Sequence, residues 1–181
     1  VDGYLPQGKV RPELADKPAA GRLVDMLLAK MNGQPFQTEV PLPAFNPPPA
    51  PAPVSDLGHR LVALVTDGGL VPAGNPDGIE AAAATKFGAY SVAGKDTLDP
   101  ADYDVSHGGY DNRYVKSDPH RLIPLDVARD LEREGRIGHV YDYFLSTTGL
   151  TNPVANSRRL GRGMAEQLKA AGVEAVILTS T

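Results

Sequence analysis

The 181 residues carry 41% hydrophobic and 22% charged side chains, a globular balance that excludes a wholly disordered chain. A formal charge of −4 argues against a nucleic-acid binder, which would show a basic face. There is no cysteine, which excludes disulfides, thiolate metal sites and a cysteine nucleophile within these residues. The longest apolar runs, such as 173–178, fall far short of the roughly 20 residues that a membrane-crossing helix needs. The opening "VDGYLPQGKV" lacks the basic start and apolar block of a signal peptide. The expectation is a cytoplasmic protein with neither nucleic acid nor membrane as partner.

Residues 1–18 carry Gly and Pro without periodicity and read as an extended lead-in. "AAGRLVDMLLAKMNGQP" predicts a helix over 19–32, with Leu23, Met26, Leu27 and Met31 on one face and a stop at Gly33 and Pro35. "VPLPAFNPPPAPAPV" holds seven prolines, and predicts a polyproline-like strap or linker over 40–54. Residues 1–54 thus read as an N-terminal extension and 55–181 as the main domain. "RLVALVTDGG" reads as a central strand running into a turn, and the Ala-rich "GIEAAAATKFG" as a helix. "YDVSHGGYD" predicts a short strand entering a glycine turn. "IPLDVARDLEREGRIG" predicts a helix with Pro124 in its first turn, Leu125, Ala128 and Leu131 inward, and Gly135 as its stop.

"HVYDYFLSTTG" is the next predicted strand. "NPVANSRRLGRGMAEQLKAAG" predicts a helix capped by Asn152, with Pro153 at its first position, a Leu160, Met164, Leu168 stripe, and an end at Gly172. Residues 173–178 read as a buried final strand. This alternation predicts an α/β fold, a parallel-type sheet with helices on its faces, preceded by a helix and a Pro-rich strap.

If the strands are parallel, their carboxyl ends share one edge, where open α/β sheets bind ligands. Four turns then gather there: Asp67-Gly68-Gly69, His107-Gly108-Gly109, Ser146-Thr147-Thr148-Gly149 and Thr179-Ser180-Thr181. Glycine pairs let backbone amides approach a ligand and hydroxyls supply adaptable donors, so the expectation is a polar, anion-tolerant pocket. Each Gly-Gly pair can equally be a plain turn. His107 is the candidate for proton transfer or for holding a carboxylate, against a purely structural role. Asn75 and Asp77 flank Pro76, where turn formation or helix capping is the competing explanation. The histidines have no metal-ligand spacing, and no standard phosphate-loop or nucleophile-elbow motif is present.

"LVALVTDGGLVPAGNPDGIE", "SHGGYDNRYVKSDPHRLIPLDVARDLEREGRIG" and "AVILTST" resemble, in order and spacing, the glycine/sarcosine/betaine reductase component B selenoprotein family, a group related to the D-proline reductase selenoprotein. The "RLVDMLLAKMNGQPFQTE" helix and the "GYLPQG" lead-in are similar to that family's middle region, so the resemblance covers nearly the whole chain. It implies an oxidoreductase subunit of anaerobic amino-acid metabolism that reductively cleaves the C–N bond of glycine, sarcosine or betaine. It further implies a selenocysteine or cysteine directly after the "ILTST" strand, a pyruvoyl-bearing partner subunit, and a small selenoprotein A that accepts the carboxymethyl group. By position, Thr179, Ser180 and Thr181 would flank the nucleophile. His107, Gly108, Gly109, Tyr110 and Asp111 would line the same pocket with Asp67, Gly68 and Gly69, and with Asn75, Asp77, Thr147 and Thr148 close by.

The chain departs from the family in lacking a preceding α/β region and everything from the selenocysteine onward. The expectation is an in-frame UGA read as a stop, with autoproteolysis as the alternative, and a piece inactive by itself. Two other readings compete: a non-catalytic α/β module binding small carboxylates, and an isomerase-like enzyme using His107 as base.

Overall fold

The structure, a computed structural model, describes residues 15–36 and 49–181. Its strands are β1 Leu61–Thr66, β2 Leu70–Pro72, β3 Gly88–Ser91, β4 Tyr103–Val105, β5 His139–Val140, β6 Tyr143–Ser146 and β7 Ala175–Thr179. Its α-helices are α1 Ala19–Met31, α2 Arg113–Ser117, α3 Leu125–Arg133 and α4 Val154–Ala170.

β1 is apolar on both faces, and Val62, Ala63, Leu64 and Val65 are all buried, as a central strand of a parallel sheet requires. Along one edge β7 pairs with it in parallel, from Val62 opposite Ala175 to Thr66 opposite Thr179. Along the other run β5 and β6, also parallel, with Leu61 opposite His139 and Val65 opposite Leu145. The register slips by two residues between them, at Tyr141 and Asp142. The single strand expected over "HVYDYFLSTTG" is therefore broken in two. β3 pairs antiparallel with β6, so the sheet is mixed but mostly parallel.

Helices cover both faces. Met164 and Leu168 of α4 pack on Ala63, Val65 and Leu145. On the opposite face Leu125 and Ala128 of α3 join Val62, Leu64, Val140 and Phe144. Phe144 is fully buried, between the rings of Tyr90 (5.4 Å) and Tyr103 (6.0 Å). The apolar spacing that marked α3 and α4 in the sequence is thus the spacing that packs. Gly135 and Gly172, at φ +69° and +78°, end them as left-handed stops.

Four further local expectations fail. Residues 79–87 are bent, irregular backbone, not a helix. The Asn75 side chain both accepts from the Ile79 amide and donates to the Ile79 carbonyl (2.9 Å each), and Glu80 accepts from the Thr85 amide (3.1 Å), so side chains take backbone groups a helix would use. Asn152 does not cap α4, which starts behind Pro153 without a side-chain cap; its amide donates to the Ala84 and Thr148 carbonyls. β4 pairs antiparallel with β2 in a separate two-stranded sheet. β7 is not buried: Val176, Ile177 and Leu178 are exposed, because β1 is its one partner strand among the described residues.

The chain divides into two compact units, Val1–Pro48 and Pro49–Thr181. In the first, α1 ends at Asn32 and Gly33, the latter at φ +65°. Its stripe residues Leu23, Leu27 and Met31 are exposed. Of the proline-rich segment 40–54, residues 40–48 lie outside the described residues; 49–54 are irregular and exposed.

Candidate functional site

The carboxyl ends of β1, β6 and β7 lie at one edge of the sheet, and backbone hydrogen bonds lace their turns together. The Asp67 amide donates to Thr179 O (3.3 Å), the Gly149 amide to Asp67 O (2.9 Å), and the Gly69 amide to Thr147 O (3.0 Å). The fourth turn, after β4, reaches this edge by another route than expected. The Ser106 amide donates to Gly69 O (2.8 Å) and the Thr148 hydroxyl donates to Ser106 O (2.5 Å), which draws the His107 loop against the sheet. That approach needs a glycine at 69. Its φ is +75°, and a Cβ there would stand 2.3 Å from Ser106 O.

The four turns enclose a cavity of about 200 Å³ lined by Asp67, His107, Gly109, Tyr110, Gly149, Leu150 and Thr181. His107 is 8% exposed and its ring stacks tilted on Tyr110 at 4.8 Å. The Gly109 amide donates to His107 Nδ1 at 3.1 Å. A backbone N–H can only donate, so Nδ1 presents its lone pair and the proton of the neutral ring is on Nε2. Burial lowers the pKa of His107, against the opposing pull of the Asp67 carboxylate, and so favours that neutral ring. Nε2 faces the Thr181 hydroxyl at 3.5 Å. With its one lone pair engaged by the Gly109 amide and its pKa lowered by burial, His107 is a weak proton acceptor in this arrangement, which counts against its reading as a general base.

Tyr110 donates its hydroxyl to Gly68 O (3.0 Å), and burial pushes its pKa up to about 12, so it stays a donor. Asp67 accepts from the Ser180 hydroxyl through Oδ2 (3.1 Å), while its Oδ1 is buried without a protein partner. No lysine or arginine lines the cavity. It is polar, as expected, but its one formal charge is negative, which corrects the anion-tolerant expectation at the Asp67 end.

A second, more apolar cavity, also about 200 Å³, lies between the β1–β6 edge and α4, with Asp67 and Gly149 in both. Thr147 and Thr148 belong to it, and their hydroxyls are spent on Lys86 O and Ser106 O. The remaining sequence candidates line neither cavity. Thr179 gives its hydroxyl to Leu122 O (2.6 Å), Gly108 its amide to Ala81 O (3.0 Å), and Gly68 its amide to Thr66 Oγ1 (3.1 Å). Asp111 is paired with Arg113 at 2.6 Å, Asp77 is exposed, and Asn75 is occupied by Ile79.

Sequence reasoning placed Gly149 in one of the four gathering turns without singling it out as a site residue, and missed Leu150. Gly149 had a signal, since it closes the hydroxyl-rich turn; a Cβ there would stand 2.8 Å from Asp67 Oδ2. Leu150 had none. Among the described residues no group of three His, Cys, Asp or Glu could hold a metal, and no helix is long and apolar enough to cross a membrane.

The family model for glycine/sarcosine/betaine reductase selenoprotein B matches residues 1–181. The chain is 48% identical over 181 residues to a glycine reductase complex component B subunit gamma from Carboxydothermus hydrogenoformans, covering 99% of the chain and 41% of that protein. From Peptoclostridium acidaminophilum, a sarcosine reductase complex component B subunit beta is 46% identical over 100% of the chain and 42% of its own length. A betaine reductase complex component B subunit beta of the same organism is 42% identical over 99% and 42%. The chain thus spans less than half the length of these relatives, and no solved structure matches it. With a match running from its first residue to its last, the chain belongs to the glycine/sarcosine/betaine reductase selenoprotein B family.

Proposed function

We propose that this chain forms the substrate-pocket portion of a component B subunit, in a cytoplasmic oxidoreductase that reductively cleaves the C–N bond of glycine, sarcosine or betaine. The observation that carries the reading is the polar cavity at the carboxyl edge, with Thr181 in its wall, in a chain that matches the reductase family throughout. In the net reaction the bond between nitrogen and the methylene carbon breaks; a dithiol, oxidised to its disulfide, supplies two electrons and two protons, one proton leaving with the amine and the other converting the methylene carbon to a methyl group.

In the longer polypeptide we place a selenocysteine or cysteine next to Thr181, a group that supplies an ionised selenium or sulfur nucleophile when present. Thr181 packs close against Gly68, where a Cβ would stand 3.1 Å from Thr181 Cγ2, and its other side faces the cavity. His107, held in its neutral form by burial and with Nδ1 occupied by the Gly109 amide, binds and orients. Tyr110 holds the Gly68 carbonyl and so fixes the turn after β1. A pyruvoyl-bearing subunit and a small selenoprotein A complete the proposed assembly; the relatives' designation as components of reductase complexes supports a multi-subunit enzyme.

The test is a polypeptide of the relatives' length carrying these residues, with cysteine at the position after Thr181, assayed with both partner proteins and a dithiol. Release of ammonia, methylamine or trimethylamine is expected, and a serine at that position should abolish it. A folded, assembled complex that releases no amine from any of the three substrates refutes the proposal.

A further inference from the structure

The carboxyl-edge cavity holds two groups with unused hydrogen-bonding capacity of opposite kind. His107 is 8% exposed, Gly109 occupies its Nδ1, and its remaining donor, Nε2–H, meets the Thr181 hydroxyl only at 3.5 Å, beyond a good N–H···O distance. Asp67 keeps one carboxylate oxygen buried and unpartnered, and the other accepts a single bond from the Ser180 hydroxyl. No basic side chain among the lining residues neutralises Asp67.

A buried donor and a half-buried acid in one small space restrict what fits. A simple anion gains the imidazole donor but is repelled by Asp67. A simple cation satisfies Asp67 and leaves the donor idle. A small molecule carrying both charges satisfies both, and about 200 Å³ admits one of a few heavy atoms but no peptide. We infer that this cavity is a zwitterion site of fixed polarity, in which Asp67 takes the cationic nitrogen of a small amino acid and the Nε2–H of His107 takes its carboxylate. The assignment rests on the proposed reductase reading for the class of amino acid, and adds which end goes where. It also ranks the ligands. Asp67 calls for an N–H donor, which a quaternary nitrogen lacks, and Tyr110 is the one aromatic ring besides His107 that could face such a group. Glycine and sarcosine therefore bind more tightly than betaine.

The experiment titrates the isotope-labelled polypeptide of the relatives' length, in which Thr181 carries no terminal carboxylate, with glycine, betaine, methylammonium and acetate, following the Gly109 and Gly149 amide signals. Since each end makes a charge-assisted hydrogen bond, glycine should bind at least about tenfold more tightly than acetate or methylammonium. Asp67→Asn should erase the advantage of glycine over acetate. His107→Ala should weaken glycine, and His107→Gln, which keeps an N–H donor near the ε position, should restore it. Acetate binding as well as glycine, an unchanged glycine affinity in a folded Asp67→Asn or His107→Ala chain, or no shift with any ligand overturns the inference. Should a variant fail to fold, which its amide spectrum reports, the wild-type ranking decides. C–N cleavage that persists while this ranking fails removes the zwitterion site alone; an intact ranking without cleavage removes the reductase reading alone.

Discussion

Burial holds His107 below the ordinary imidazole range, so folding and protonation compete at this side chain. With the native pKa depressed, the unfolded chain binds a proton that the native ring refuses as pH falls below about 6.5. The contribution to stability is present above that value and is lost as pH falls through the native pKa. Urea midpoints measured from about pH 7.5 down to 5 should decline with falling pH, and His107→Gln should flatten that decline. An unchanged slope in the variant would show that His107 does not carry it. Glu132, lowered despite its burial by hydrogen bonds from Arg129 and His139, and Asp104, lowered first by its hydrogen bond to Lys116, add their losses only within the carboxylate range. The two processes therefore separate along the pH axis.

At the scale of elements, β1 and β7 make a controlled comparison. Both are apolar strands in one sheet, but β1 is paired along both edges and β7 along one. The outward amides of Ala175–Thr179 should exchange with solvent orders of magnitude faster than those of Val62–Val65; equal protection would mean that the outer edge of β7 is covered. The sequence made β1, α3 and α4 legible, because Val62–Val65 and the Leu160, Met164, Leu168 stripe have the periods that burial demands. It did not show that β7 is exposed, since "AVIL" reads alike in a central strand and an edge strand. Nor could composition reveal that 79–87 is irregular, because the decisive bonds tie the Asn75 and Glu80 side chains to backbone groups several residues on. The site was half legible. Asp67, His107, Gly109, Tyr110 and Thr181 all sit in the cavity, but the route of His107 to it depends on an antiparallel β2–β4 pair that no local pattern announces. The Nε2–H tautomer depends on a single backbone amide.

For the molecule as a whole, the buried apolar core of the described residues begins at Val62, and no residue of α1 is buried. The unit Pro49–Thr181 therefore has its own core. A chain starting at Pro49 should keep its melting temperature within about 3 °C of the full 181 residues, measured by calorimetry. A drop well beyond that would show that the first unit supports the second. Within that second unit, one pairing decides when the site can exist. The Asp67 amide meets the Thr179 carbonyl, and beside it Ser180 reaches Asp67 across a sequence separation of 113 residues. Closing a loop of that length costs entropy before any contact offsets it, and parallel pairings of this kind form slowly. A nascent or refolding chain can thus bury Phe144 and dock α3 on β1 while Asp67 still faces water. The cavity is not a feature that the fold grows around, but one that β7 closes.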